Sequence, residues 1–341
     1  MDTENKKQLV SLDYLRALAV TMILYDHLGG LRNADWIVKK EIDTIVAIPL
    51  AIIQDFGAFG VSLFFLISGF LLTYRQKEVY APVGKTIKKI CKIYLTNISA
   101  FCWFGIFVFI TGKVVVNYWS QFSLKQWILS ASLVGYFTGD GDVINGTTWF
   151  LVPLFVFYLV AVTFSMIYKK IGIYAYWFVE IEILLILKLV NIFVAPAVTK
   201  IIFAFMPVMG MLIGEIFKTT ISKDRKHVFL LLGINWISMV LCFKVFAWNY
   251  FAESLYLVSF IYALGLLVIF VLLESQFKTN RYISFLCRIS LSVYVLQMTF
   301  GSYFMQVFEE LKIPFTGSFV ISVGIILILA WLHYNFIEKK L

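Results

Sequence analysis

Runs of about 20 mostly apolar residues, each the length a helix needs to cross the hydrocarbon of a bilayer, recur ten times along this chain. They fall at about 12–28, 56–74, 93–111, 148–168, 173–193, 198–217, 228–248, 255–274, 289–308 and 316–336. With 61% hydrophobic and 14% charged residues among 341, a soluble domain could not hide the apolar surface. The expected fold is therefore all-α: one integral membrane domain over residues 1–341 with about ten transmembrane helices. Two shorter amphipathic pieces, near 42–53 and 122–138, are too short or too polar to cross and are expected at the outer interface. The first residues, MDTENKKQLV, show no cleavable signal, so the first apolar run is expected to stay in the protein.

The basic residues set the orientation. With the N-terminus in the cytoplasm, the inner segments hold 19 Lys and Arg and the outer segments 6. That bias matches the tendency of basic loops to remain inside, and with an even number of spans it puts both termini in the cytoplasm. The net charge of +9 is then accounted for by anchors beside anionic lipid headgroups, and no nucleic-acid partner is needed. The densest cluster, RQKEVYAPVGKTIKKICK over 75–92, is both an anchor and a surface for an anionic cytosolic ligand. The four cysteines, Cys91, Cys102, Cys242 and Cys287, lack metal spacing and read as small buried hydrophobes. No metal site is expected.

The first run, SLDYLRALAVTMILYDHLGG over 11–30, carries ionisable groups that hydrocarbon penalises. Arg16 and His27 are eleven residues apart, which on an α-helix is about 20° past three full turns and roughly 16 Å of rise. Both side chains are expected on one stripe facing a shared polar interior. Asp13 lies close enough to pair with Arg16, and Asp26 points about 100° away from His27. Arg forks onto phosphate or carboxylate, and His takes and returns a proton near neutrality. The next run, FGVSLFFLISGFLLTYR over 59–75, holds Gly60, Ser62, Ser68 and Gly69 and, with Gly57 just before it, permits close helix approach; Ser68-Gly69 also leaves room for a ligand.

LDYLRALAV with its following His, then FGVSLFFLISGFLLTYR, resembles the membrane-bound acyltransferase-3 family, which shows LDGLR, a His eleven residues after the Arg, and then FGV-x-LFF-x-x-SGFL. TTWFLVPLFVFYL (147–159) is similar to the family's Trp…Phe-Tyr-Leu segment, with Leu154 and Phe155 where many members have an acidic pair. FMPVMGMLIGEI (205–216) is similar to its Phe…Gly-Met-x-x-Gly helix. ISLSVYVLQM (289–298) is similar to its late Ser-Tyr-x-x-Tyr-Leu-x-His segment, with Gln297 where His is usual, and FIEKKL closes the chain as the family's Phe-Ile-Glu does.

The resemblance implies transfer of an acyl group, most often acetyl, from cytosolic acyl-coenzyme A to a hydroxyl of an extracytoplasmic or lipid-linked saccharide. His27 is then the general base or transient acyl carrier, with Asp26 beside it. Arg16, Arg75, Lys85, Lys88, Lys89, Ser68 and Gly69 would hold the donor, and Trp149, Tyr158, Tyr294 and Gln297 would lie on the acceptor side. Acyl-coenzyme A is a substrate, and no resident cofactor is implied. The expected partners are the donor, a saccharide and membrane lipid, the expected location is a bacterial cytoplasmic membrane, and the Phe-, Ile- and Lys-rich composition fits a bacterium of low genomic GC. His227 and His333 read as bystanders. A transporter or exporter of a lipid-linked or polymeric saccharide is the alternative class, and it should show repeated halves or broken helices in matching positions. A non-enzymatic partner in glycan synthesis is a third.

Overall fold

The computed structural model describes residues 9–52, 56–74, 83–111, 122–138, 143–218, 222–246 and 254–341, and no strand occurs among them. The principal helices follow the apolar runs: α1 (Val10–Tyr25), α2 (Phe56–Tyr74), α3 (Val83–Thr111), α4 (Leu151–Ile171), α5 (Ala175–Phe193), α6 (Phe205–Lys218), α7 (Ser222–Phe246), α8 (Ser254–Leu272), α9 (Arg281–Leu296) and α10 (Phe315–His333). Among the described residues, seven helical stretches are long and apolar enough to cross a bilayer. One of these, the 48 residues Gly146–Phe193, contains both α4 and α5. Gly172 divides it with φ +60°, a left-handed conformation that glycine adopts without a Cβ clash. The helix α1, with Asp13 and Arg16, is not one of the seven. The protein is an all-α polytopic membrane protein.

The two amphipathic pieces are short helices. Ile37–Ile42 runs into a π-helical turn at Asp43–Ala47, and Leu124–Ala131 precedes Gly135–Thr138. Ile45, Ile48, Leu124 and Ile128 on them are exposed, the pattern of helices lying along a membrane surface.

At the centre stands α2, packed on α1, α6 and α8. Its fit to α6 is made by absent side chains. A Cβ at Gly69 would stand 1.7 Å from the Pro207 carbonyl oxygen, one at Gly210 2.1 Å from the Leu66 carbonyl oxygen, and one at Gly214 2.1 Å from Thr73 Oγ1. Gly210 and Gly214 are four apart, the spacing that brings membrane helices into backbone contact. Thr73 Oγ1 then donates to the Met211 carbonyl across the seam at 2.9 Å. Apolar side chains gain little from meeting each other in lipid, so close packing and such bonds carry the association. The space at Gly69 is thus filled by the backbone of α6, and the room for a ligand expected there is instead beside Ser68, on another face of α2.

The start of α1 is held from outside. Glu274, just after α8, accepts hydrogen bonds from the backbone N–H groups of Val10 at 2.8 Å and Ser11 at 3.0 Å. A carboxylate there satisfies two donors that a helix start leaves unpaired and complements its positive end. Glu274→Ala is expected to cost about 1 kcal/mol, the loss of an N-cap, read as a lower thermal midpoint of the purified protein.

Candidate active site

Arg16 opens on a cavity of about 530 Å³. Its charged lining is Asp13, Arg16, Lys89, Lys92, Arg288 and Glu338, drawn from α1, α3, α9 and the π-helical turn Tyr334–Glu338 that ends α10. Its other walls include Phe64, Ser68, Phe150, Leu154, Tyr158 and Tyr294. Four cations against two carboxylates, in a space of this size, suit an elongated anion with an apolar or neutral portion. The first helix supplies Asp13 and Arg16 one turn apart, and Cys287 of α9 joins them. Its thiol donates to Asp13 Oδ1 at 3.2 Å and lies 3.7 Å from Arg16 Nη1. Lys89 sits with its ammonium 4.3 Å from the centre of the Tyr158 ring, a cation–π contact.

His27 lies beyond this cavity. Past Tyr25 the first helix continues as a π-helical turn, Asp26–Gly30, and past Leu296 α9 does the same over Gln297–Gly301. The two turns pack on each other, and a Cβ at Gly301 would stand 2.6 Å from the Leu28 side chain. That approach brings the Gln297 amide 3.0 Å from His27 Nδ1. Gln297 is fully buried. An extra residue per turn re-aims side chains, and such turns recur at functional sites.

The amide's two heavy atoms exchange by a half-turn of its last bond. With nitrogen toward the ring, the imidazole proton sits on Nε2. With oxygen toward the ring, Nδ1–H donates to it and Nε2 carries no proton, the tautomer a general base requires.

The single stripe expected on the first helix is therefore divided. Arg16 lines the cavity, whereas Val20 and Ile23, on the same stripe between Arg16 and His27, are buried at 2% exposure each and line neither described cavity. On the cavity wall Phe150 packs on Tyr294 with ring centres 4.2 Å apart. Tyr294 donates its hydroxyl to the Thr147 carbonyl, which pins that wall. The separation is short, since Tyr294 precedes Gln297 by three residues, about one helical turn of 5.4 Å.

Asp26 is buried and lines a second cavity of about 100 Å³ with Tyr25, Lys39, Asp43, Ile52 and Phe56. Among the residues expected to hold a donor, Arg16, Ser68 and Lys89 come together in the large cavity. Lys85 and Lys88 are exposed at the start of α3 and are not on its wall, Gly69 faces α6, and Arg75 lies outside the described residues. The residues expected on the acceptor side are split. Gln297 meets His27, whereas Tyr158 and Tyr294 line the Arg16 cavity because α4 and α9 both turn aromatic faces to it. Trp149 packs on Phe203 with ring centres 4.6 Å apart, in an aromatic cluster with Phe65.

Sequence reasoning missed Cys287, Arg288 and Glu338 as cavity residues. The closing Phe-Ile-Glu was the only available signal for Glu338, and the apolar setting of Cys287 concealed its two charged neighbours. Three other acids within spans find local partners. Glu180 accepts from Asn235, Glu182 from Thr163 and Glu215 from Tyr168.

Residues 9–335 match one family model, described as an acyltransferase domain. No curated protein and no solved structure matches the chain. The match covers nearly every residue of a helical bundle built to span a bilayer, and the chain belongs to this family of membrane acyltransferases.

Proposed function

We propose that the protein is an O-acyltransferase, most simply an O-acetyltransferase, that takes its acyl group from acyl-coenzyme A and places it on a saccharide hydroxyl at the far side of a bacterial cytoplasmic membrane. The observation that carries this reading is the 530 Å³ cavity lined by Arg16, Lys89, Lys92 and Arg288. Coenzyme A is a long arm with phosphates at one end and a thioester at the other. Phosphates favour the guanidinium and ammonium groups, which cluster in the first halves of α1, α3 and α9. The basic bias of that end makes it the cytoplasmic one, with both termini inside.

The arm then runs past Ser68 and Tyr158 toward Tyr294, one turn short of His27 and its Gln297 partner. There His27 Nε2 removes the proton of the acceptor hydroxyl as its oxygen attacks the thioester carbonyl. The carbon–oxygen bond forms, the carbon–sulfur bond breaks, and the imidazolium returns the proton to the departing sulfur, leaving ester and free thiol.

Purified protein given radiolabelled acetyl-coenzyme A and a saccharide extract of its host should produce labelled ester. Arg16→Ala is expected to raise the KM for the donor by about tenfold to a hundredfold, as loss of a hydrogen-bonded charge contact does, with a smaller change in kcat. A protein that neither binds nor consumes acyl-coenzyme A would overturn the donor assignment. Host glycans with the same ester content after loss of the gene would overturn the acceptor.

A further inference from the structure

Beside the donor cavity lies a polar chain that the reaction just described leaves unused. His333, at the end of α10, is 0% exposed. Its Nε2 is 2.8 Å from Ser99 Oγ of α3 and its Nδ1 is 2.9 Å from Ser292 Oγ of α9. Ser292 Oγ in turn donates to Glu338 Oε2 at 2.6 Å. Trp103 of α3 closes the edge of the imidazole, ring centres 5.2 Å apart.

The direction of the protons follows from counting them. A hydroxyl has one proton, and that of Ser292 goes to Glu338. Ser292 must therefore accept from His333 Nδ1–H, which leaves Nε2 of the neutral ring as an acceptor beside Ser99, whose single hydroxyl proton is shared with the Thr96 carbonyl at 2.9 Å. From His333 through Ser292 the donors point toward one carboxylate, and such chains strengthen link by link in a dry interior. If the chain merely stapled three helices, its last member would have no reason to reach the cavity, yet Glu338 forms part of the wall. It faces Asp13 and Arg16 from α1, Lys89 and Lys92 from α3 and Arg288 from α9.

A carboxylate among four cations weakens the hold on a ligand that is only anionic. It suits a ligand that carries N–H or O–H donors next to its phosphates. This rests on the donor reading above, because the arm of coenzyme A between diphosphate and sulfur carries two amide N–H groups and a hydroxyl. We infer that the Ser99–His333–Ser292 chain aims and holds Glu338 as the acceptor for an amide N–H or hydroxyl of the donor's uncharged arm, which makes Ser292 and His333 positioning residues for the acyl donor.

The test is calorimetry on the full-length protein in detergent with two probes, coenzyme A and adenosine 3′,5′-bisphosphate, the second having phosphates but no arm. Ser292→Ala and Glu338→Gln should each weaken coenzyme A binding by about tenfold, the value of one hydrogen bond to a charged group, without weakening the bisphosphate. In turnover the same variants should raise the donor KM with kcat nearly unchanged, and Ser292→Thr, which keeps the hydroxyl, should restore both readouts. Equal loss for the two probes, or coenzyme A binding unchanged in both variants, would overturn the inference while leaving the donor cavity standing. A wild-type protein that binds neither probe would remove the donor reading and this inference with it.

Discussion

Replacing His27 by alanine is expected to lower acyl transfer by about a thousandfold, the middle of the range for loss of a general base, while coenzyme A binding stays within a factor of a few. The two effects separate because the imidazole lies outside the cavity that holds Arg16. Initial rates with radiolabelled acetyl-coenzyme A give the first, and calorimetry the second. Its partner offers a graded companion. Gln297→Leu removes the group that fixes the tautomer and should cost about tenfold or more in kcat, roughly the worth of one charge-assisted hydrogen bond formed as the ring becomes cationic. Gln297→Glu supplies an acceptor for Nδ1–H and should retain activity. A His27→Ala protein that turns over at nearly the wild-type rate would take the imidazole out of the chemistry and leave the Arg16 cavity as all that remains of the site.

The second large effect concerns folding. Gly69→Ala and Gly210→Ala each drive a methyl group into a backbone carbonyl of the facing helix, at 1.7 and 2.1 Å. No side-chain rotation relieves either clash, so the helices must part and lose their contacts along the seam. Each change should cost about 3 kcal/mol, the upper end of overpacking penalties, visible as a sharply lower thermal midpoint or loss of monodisperse protein in detergent. Gly233 of α7 is the control, since nothing lies within 4 Å of a Cβ built there. Gly233→Ala should be neutral or stabilising by up to about 1 kcal/mol, because alanine favours the helix. Equal behaviour of the three variants would show that the close approach of α2 and α6 does not hold the bundle together.

Much of the architecture was legible because the bilayer makes it so. Length and hydropathy mark helices such as Phe56–Tyr74 and Phe315–His333 directly, since no other local structure hides its backbone polar groups there. Arg16 and His27 stood out for the same reason, charge being rare at such places. Helix periodicity could not show that the regular α-helix ends at Tyr25 and goes on as a π-helical turn, nor that α9 does likewise after Leu296. Those turns meet across a separation of 270 residues in sequence. The same limit hid the aromatic wall of Phe150 and Tyr294 and left His333 looking idle, because its partners Ser99 and Ser292 come from two other helices. Tyr158 was read from its motif as an outer residue, and only the path of α4 across the bundle sets it beneath Lys89.

The glycine seam also determines which parts of the molecule are able to move. Two helices whose main chains touch have no cushion of side chains to slide on, so α2 and α6 behave as a single strut. On the function proposed above, admission of the acyl donor to His27 then falls to the flank formed by α9. There α9 bears Tyr294 just ahead of its widened turn, and a small roll of that one helix would unseat the ring from Phe150 while the strut stays fixed.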